Sequence, residues 1–300
     1  MTIIEAQDLH KHYRQKKAVN GLSVSIADKK ITGIIGRNGA GKTTFLKLVA
    51  GYYRPNKGKL HVFGEKPFNN INASLNTVFV DDLMYFPSSL MLEEILEEGK
   101  RFYPNWDEKL ARNLFNYFSL NPRQGHQNLS KGMKSTFNMI FGLAAHCELT
   151  IFDEPTTGMD ESVRKDFYRA LMKDYLHYPR TILLSSHHLD EMEDLLEDVL
   201  LIKDGTVCEH RSIDELKEMA IGVRGDTASI NKWLDGAETL YEQTLTGQTK
   251  YVVAYQPNEA KKQEGLTLGL EFKRVSASDI CVYLTESRKG GIDDVFSDND

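Results

Sequence analysis

Cysteine is scarce in this chain of 300 residues: Cys147, Cys208 and Cys281 stand far apart and are odd in number. That spacing argues against a disulfide framework or a cysteine-based zinc site and fits reduced, structural thiols. No apolar run approaches the ~18 residues that a spanning helix needs, which excludes membrane insertion. The opening MTIIEAQDLH lacks a basic stretch followed by an apolar one, so no secretion signal is read and the chain is expected in the cytosol. Positive charge is not in excess: the formal net charge is −6, and no broad nucleic-acid-binding surface is expected. Internal repeats and sustained heptads are absent too. What remains, 41% hydrophobic and 27% charged, is an ordinary globular composition, long enough for a full core and a smaller second domain.

Against this background one octapeptide stands out, GRNGAGKT at Gly36 to Thr43. It fits G-x-x-x-x-G-K-[ST], in which small residues let consecutive backbone N–H groups curl around a polyphosphate. The loop Gly36, Arg37, Asn38, Gly39, Ala40 and Gly41 forms the predicted cradle, Lys42 reaches the terminal phosphates, the Thr43 hydroxyl binds magnesium, and Thr44 follows at the binding site. Its context agrees. Lys30 to Ile35 is a short β-branched apolar run, and Thr44 to Ala50 has helical spacing, so a strand, a glycine loop and a helix N-terminus follow one another.

Strand and helix signals alternate over residues 1–221, which predicts an α/β domain. Ile3 to Ile26 reads as two strands around a basic turn, His10 to Lys17, and Lys59 to Gly64 as another strand. Leu149 to Phe152, Thr181 to Ser185 and Val199 to Ile202 read as buried strands after Thr77 to Val80. Between them, residues 88–125 carry apolar positions at three- and four-residue spacing and predict a helical insert. Asp160 is the predicted N-cap of the next helix. Residues 222–288 read as a small α+β appendage, with strand-like stretches at Tyr251 to Tyr255 and Ile280 to Leu284, and 289–300 as an acidic flexible tail.

A second element of phosphoryl chemistry follows the Leu149 strand. A carboxylate at that strand end in a P-loop enzyme faces the nucleotide and holds magnesium, and the next carboxylate orients and deprotonates the attacking water. Asp153 takes the first role and Glu154 the second.

LSKGM at Leu129 to Met133, before IFDEPTTGMD and SSH at Ser185 to His187, then gives a family resemblance. In order and spacing these segments resemble the signature, Walker B, D-loop and switch-histidine series of ATP-binding cassette (ABC) proteins. The resemblance covers roughly residues 1 to 220 and implies a P-loop NTPase nucleotide-binding domain using ATP and Mg2+. It assigns Tyr13 to stacking on adenine, and Ser130 and Gly132 to the γ-phosphate of ATP held by an opposing cassette. It likewise assigns Asp160 to the dimer interface and His187 to the γ-phosphate. Two motifs depart from the family pattern. Lys131 and Met133 replace the glycine and glutamine of LSGGQ, and Asp82 stands where the family has its Q-loop glutamine, still able to serve the metal.

The resemblance further implies two cassettes sandwiching two ATP molecules and a separate transmembrane permease subunit, which would hold the chain on the inner face of the membrane. The second cassette is a copy of this chain or a paralogue. The signature and the appendage look like those of bacterial two-gene exporters of peptides or antimicrobial compounds, including the phenol-soluble-modulin type. The alternative is a soluble ABC ATPase acting on ribosomes or in translation, although those usually carry two cassettes on one chain.

Overall fold

The computed structural model describes residues 1–187, 189–245 and 248–286, and contacts divide the chain into two compact units, Met1–Ile213 and Asp214 onward. In chain order the first unit contains β1 (Thr2–Tyr13), β2 (Lys16–Ala27), β3 (Ile31–Ile35), α1 (Lys42–Val49), β4 (Lys57–Val62), α2 (Ile71–Leu75), β5 (Thr77–Val80), α3 (Leu92–Phe102) and α4 (Glu108–Tyr117). It continues with α5 (Lys131–Ala144), β6 (Leu149–Asp153), α6 (Glu161–His177), β7 (Thr181–Ser186), β8 (Asp198–Lys203) and β9 (Thr206–Ser212).

β3, β5, β6 and β7 are buried at every position, as apolar strands covered on both faces must be. They lie in a six-stranded sheet of order β5-β6-β7-β3-β8-β9, parallel except for the antiparallel edge strand β9. Parallel strands end on the same edge, so the residues that follow β3, β5, β6 and β7 converge there. In register, Ser185 of β7 stands opposite Ile34 of β3 on one side and Asp153 of β6 on the other.

A second sheet, β2-β1-β4, is antiparallel. Its first hairpin differs from the sequence reading: the strands continue through the basic stretch, pairing Tyr13 with Lys16, and only Arg14 and Gln15 form the turn. Arg14, Lys16 and Lys17 are exposed, and half-buried Lys11 donates to the Arg54 carbonyl at 2.9 Å, so no charge of this stretch enters the core. Between β5 and β6 lie α3, α4 and α5. α3 buries Leu92, Ile95, Leu96 and Gly99, and α4 buries Ala111 and Phe115 and is capped by Asp107, which accepts from the Leu110 N–H at 2.8 Å.

α7 (Ile213–Glu218) starts at the last residue of the first unit. The second unit then contains β10 (Ala220–Asp226), α8 (Thr227–Trp233), β11 (Thr239–Thr244), β12 (Thr249–Tyr255), α9 (Glu259–Thr267), β13 (Glu271–Arg274) and α10 (Ala277–Thr285). Its antiparallel sheet, β11-β12-β10-β13, packs Val223, Val252 and Ala254 with Ile230, Trp233 and Leu270. The fully buried Trp233 ring donates its N–H to the Lys261 carbonyl at 2.6 Å.

Two expectations are corrected here. A boundary between 221 and 222 would cut β10, whose Ala220 and Ile221 already pair with β12, so the division lies at 213/214. Ile280 to Leu284 is part of a helix and not a strand. Ser276 caps it by accepting from the Asp279 N–H at 3.0 Å, and Ala277, Ile280, Cys281 and Thr285 are buried at helical spacing, which overrides the β-propensity of Ile, Val and Tyr. The acidic tail, 289–300, lies outside the described residues.

Candidate active site

The phosphate loop joins β3 to α1 and needs glycine for a stated reason. Gly41 has φ of 111°, a left-handed backbone, and a Cβ there would run into the Ala18 carbonyl oxygen. The Ala40 N–H donates to the Arg37 carbonyl at 3.0 Å, and the Ala40 carbonyl accepts from Gly205 N–H at 2.8 Å, so the loop is tied to the turn after β8. The N–H groups at the start of α1 have no helical partner and face any anion in the loop.

The loop opens on a cavity of about 510 Å³ lined by Tyr13, Lys16, Asn38, Gly39, Gly41, Lys42, Thr43, Thr44, Lys47, Asp81, Asp82, Asp153, Glu154, Thr157 and His187, among others. The structure thus brings together most of the expected site from four strand ends and one hairpin. Gly36, Arg37 and Ala40 shape the loop without lining the cavity. Ser130, Gly132 and Asp160 are not brought to it. Ser130 caps α5, accepting from the Met133 N–H at 3.3 Å, and Asp160 caps α6, accepting from the Val163 N–H at 3.1 Å.

Lys42 is 6% exposed, and its ammonium donates to the Gly36 carbonyl at 2.8 Å and pairs with Glu154 Oε1 at 3.4 Å. The other oxygen of Glu154 accepts from His187 Nδ1 at 2.9 Å, and because a carboxylate only accepts, Nδ1 carries the proton. Glu154 therefore stands between the phosphate-loop lysine and the histidine after β7.

Asp153 is buried and accepts hydrogen bonds from the Ser185 hydroxyl at 2.5 Å and from Thr43. Its carboxyl is pushed above the ordinary range, chiefly by burial, with the Glu154 and Asp81 charges adding to the shift and the two hydroxyls opposing it. The hard-oxygen pair of buried Asp153 and exposed Thr43 fits Mg2+, which takes one or two protein oxygens and completes its shell with water and phosphate. No cluster of three or more His, Cys, Asp or Glu side chains suited to a metal occurs among the described residues, so an all-protein cage is not what the site offers. The charges agree: three lysines (16, 42, 47) face four carboxylates (81, 82, 153, 154) in the cavity lining, leaving no surplus of positive charge for a bare polyphosphate.

Asp81 and Asp82 follow β5 and divide their roles. Asp81 is ion-paired with Lys47 at 3.0 Å, and its carbonyl accepts from Asn138 of α5 at 3.2 Å. Asp82 is exposed at the cavity wall and has no ion-pair partner among the described residues. Tyr13 is 42% exposed, packs edge-on to Tyr53 with ring centroids 6.0 Å apart, and presents an aromatic surface beside the loop.

The ABC transporter family profile matches residues 19–157. The bacitracin transport ATP-binding protein BcrA of Bacillus licheniformis is 30% identical over 220 residues, covering 72% of each chain. This chain belongs to the ATP-binding subunits of ABC transporters. The ATP-binding protein YtrB of Bacillus subtilis is 26% identical over 222 residues, 74% of this chain and 76% of that one, and the SkfA peptide export ATP-binding protein SkfE of the same organism 26% over 240, 78% and 100%. Among solved structures, the ATP-binding subunit of an ABC transporter superposes with a TM-score of 0.64 at 22% identity, covering 72% of this chain and 92% of that one. A dimeric ATP-binding cassette in a post-hydrolysis state, bound to ADP and phosphate, gives 0.62 at 17%, covering 70% and 99%. The fold is that of the ABC ATPase domain.

The sequence reading of this ABC ATPase missed Lys16, Lys47, Asp81, Thr157 and Ser185. Lys16 had a signal, the basic hairpin, but the turn was drawn too wide to place it beside Tyr13. Ser185 lay inside the SSH segment, where only the histidine received a role.

Asp153→Asn keeps the shape while removing a carboxylate whose ionisation is opposed by burial. Because its pKa is raised in the folded chain, the penalty is absent at pH below the carboxylate range and present in full at neutral pH. The variant is expected to melt at a higher temperature than the parent at pH 7 without nucleotide, an advantage that fades on acidification, and to lose Mg2+-dependent turnover by about 100-fold or more. Scanning calorimetry and phosphate release check both. A lower melting temperature at pH 7, with turnover retained, refutes the assignment.

Proposed function

We propose that this chain is the ATP-hydrolysing subunit of a membrane exporter, working as one of two cassettes that close around two ATP molecules and drive a separate transmembrane subunit. The carrying observation is the division of the site. One cavity holds the loop, Lys42, Thr43, Asp153, Glu154 and His187, whereas Ser130 and Gly132 stand at the start of α5, outside it. A second cassette that offers the N-terminus of its α5 to the γ-phosphate completes the site.

Chemically, the polyphosphate binds the loop N–H groups and draws Lys42 away from Gly36 and Glu154. Thr43 and Asp153, with Asp82 on the same cavity wall, would hold Mg2+, which would supply charge neutralisation on the phosphates. Glu154, released from Lys42, takes a proton from a water as that oxygen bonds to the γ-phosphorus. The bond to the bridging oxygen breaks and ADP leaves. His187 orients Glu154 and faces the γ-phosphate.

In this reading a separate transmembrane subunit holds the chain at the inner membrane face; no helix among the described residues is long and apolar enough to cross a membrane. Beside the helical insert an apolar groove of about 560 Å³ is lined by Ile71, Leu75, Met84, Phe86, Leu90 and Phe102, with Ile71 81% and Phe102 69% exposed. Such a groove suits the apolar face of a short helix from the permease. BcrA is named for bacitracin transport and SkfE for peptide export, which favours export and a peptide-like or antimicrobial cargo.

Glu154→Gln is expected to bind ATP, to lower turnover by about 100-fold or more, and to accumulate as an ATP-bound dimer by light scattering. Parental turnover removes Glu154 as the base, and a monomer with ATP and Mg2+ removes the sandwich. Asp82→Ala is expected to raise the Mg2+ needed for half-maximal hydrolysis several-fold with ATP affinity unchanged. An unchanged Mg2+ dependence excludes Asp82 from the metal shell.

A further inference from the structure

The residue that carries the base has an unusual backbone. Glu154 has φ of 49°, a left-handed conformation that a non-glycine residue keeps only when its neighbours hold it. Its N–H donates to the Ser185 hydroxyl at 3.0 Å and to the Ser185 carbonyl at 3.3 Å. Its carbonyl accepts from the Thr157 hydroxyl at 2.8 Å and the Thr157 N–H at 3.3 Å.

Thr157 is held in turn. Its carbonyl accepts from the Ser135 hydroxyl of α5 at 2.8 Å. A helical serine ordinarily bonds back to the carbonyl four residues earlier, and the next residue does so, with the Thr136 hydroxyl donating to Gly132 at 2.9 Å. Ser135 instead spends its donor on another segment. One turn earlier, Gly132 approaches the Gly158 carbonyl so closely that a Cβ would lie 2.5 Å from its oxygen. The first turns of α5 are thus fastened to the 157–158 turn at two adjacent points, and that turn fixes Glu154.

We propose that Ser135 is a positioning residue for hydrolysis: through Thr157 it sets the backbone of Glu154, so that displacement at the N-terminus of α5 reaches the base of the same chain. Resting on the two-cassette reading, this gives the two ATP sites a physical connection. Engagement of Ser130 and Gly132 with the ATP of the opposing cassette shifts α5, and Ser135 passes the shift to the chain's own Glu154. The loop carrying the base then responds to occupancy of the other site.

The test uses the full chain and compares the parent, Ser135→Ala, Thr157→Val and the double variant by initial rates of phosphate release over a range of ATP. For Ser135→Ala the expected result is kcat about 10-fold lower with KM within about twofold, since the ATP cradle is untouched while the base is misplaced. The Hill coefficient is expected to fall from about 2 towards 1, and the double variant to be no slower than the slower single one. Parental kcat in Ser135→Ala, multiplying effects in the double variant, or a parallel loss of ATP affinity and cooperative melting each overturn the proposal. A dimer of Glu154→Gln with ATP, alongside parental kcat and Hill coefficient in Ser135→Ala, defeats this inference alone. Absence of that dimer defeats the two-cassette reading, and with it the connection between sites.

Discussion

The buried ammonium of Lys42 sets the terms for the rest of the site. A charge 6% exposed has to be paired, and here it is shared between a loop carbonyl, Gly36, and the carboxylate of Glu154. Both partners are exchangeable, because phosphate oxygens offer the same ammonium stronger acceptors. In the proposed mechanism the phosphates take Lys42 from Glu154, which links binding to readiness for chemistry. That arrangement requires the loop after β3 and the carboxylate after β6 to lie on one edge, and the parallel order β6-β7-β3 supplies it. β7 lies between them and contributes Ser185, whose hydroxyl touches both the Asp153 carboxylate and the Glu154 N–H.

What was legible in the sequence was local. The loop, Asp153 with Glu154, the Asp160 cap and the helical insert each depend on a few consecutive residues or on one period, and the fold class followed from their alternation. What was not legible was pairing across the fold. Lys47 meets Asp81 and Ser135 meets Thr157 only because α1, β5, α5 and the turn after β6 pack together. The segment Ile280 to Leu284 misled because five residues cannot separate a buried strand from a buried helix face. The serine cap at 276 was the available signal. The domain boundary moved from 221/222 to 213/214 for a related reason: β10 pairs only with strands that follow it in the chain.

The two departures from the family pattern acquire physical explanations. Lys131 takes a glycine position in LSKGM, and its Cγ lies 3.0 Å from where a Cβ on Gly158 would be, so its stem runs over a residue that has no side chain. The lysine is accommodated because residue 158 is glycine. At the Q-loop, Lys47 neutralises Asp81 and leaves Asp82 as the carboxylate offered to the cavity. Adjacent acids are tolerable there because one of them already has a cation.

The most direct test of the exchange at Lys42 is a structure of this protein with a non-hydrolysable ATP analogue and Mg2+. The account predicts the Lys42 ammonium at about 3 Å from phosphate oxygens and no longer within ion-pair distance of Glu154. Nucleotide bound in the cavity with the Lys42–Glu154 pair intact would contradict it.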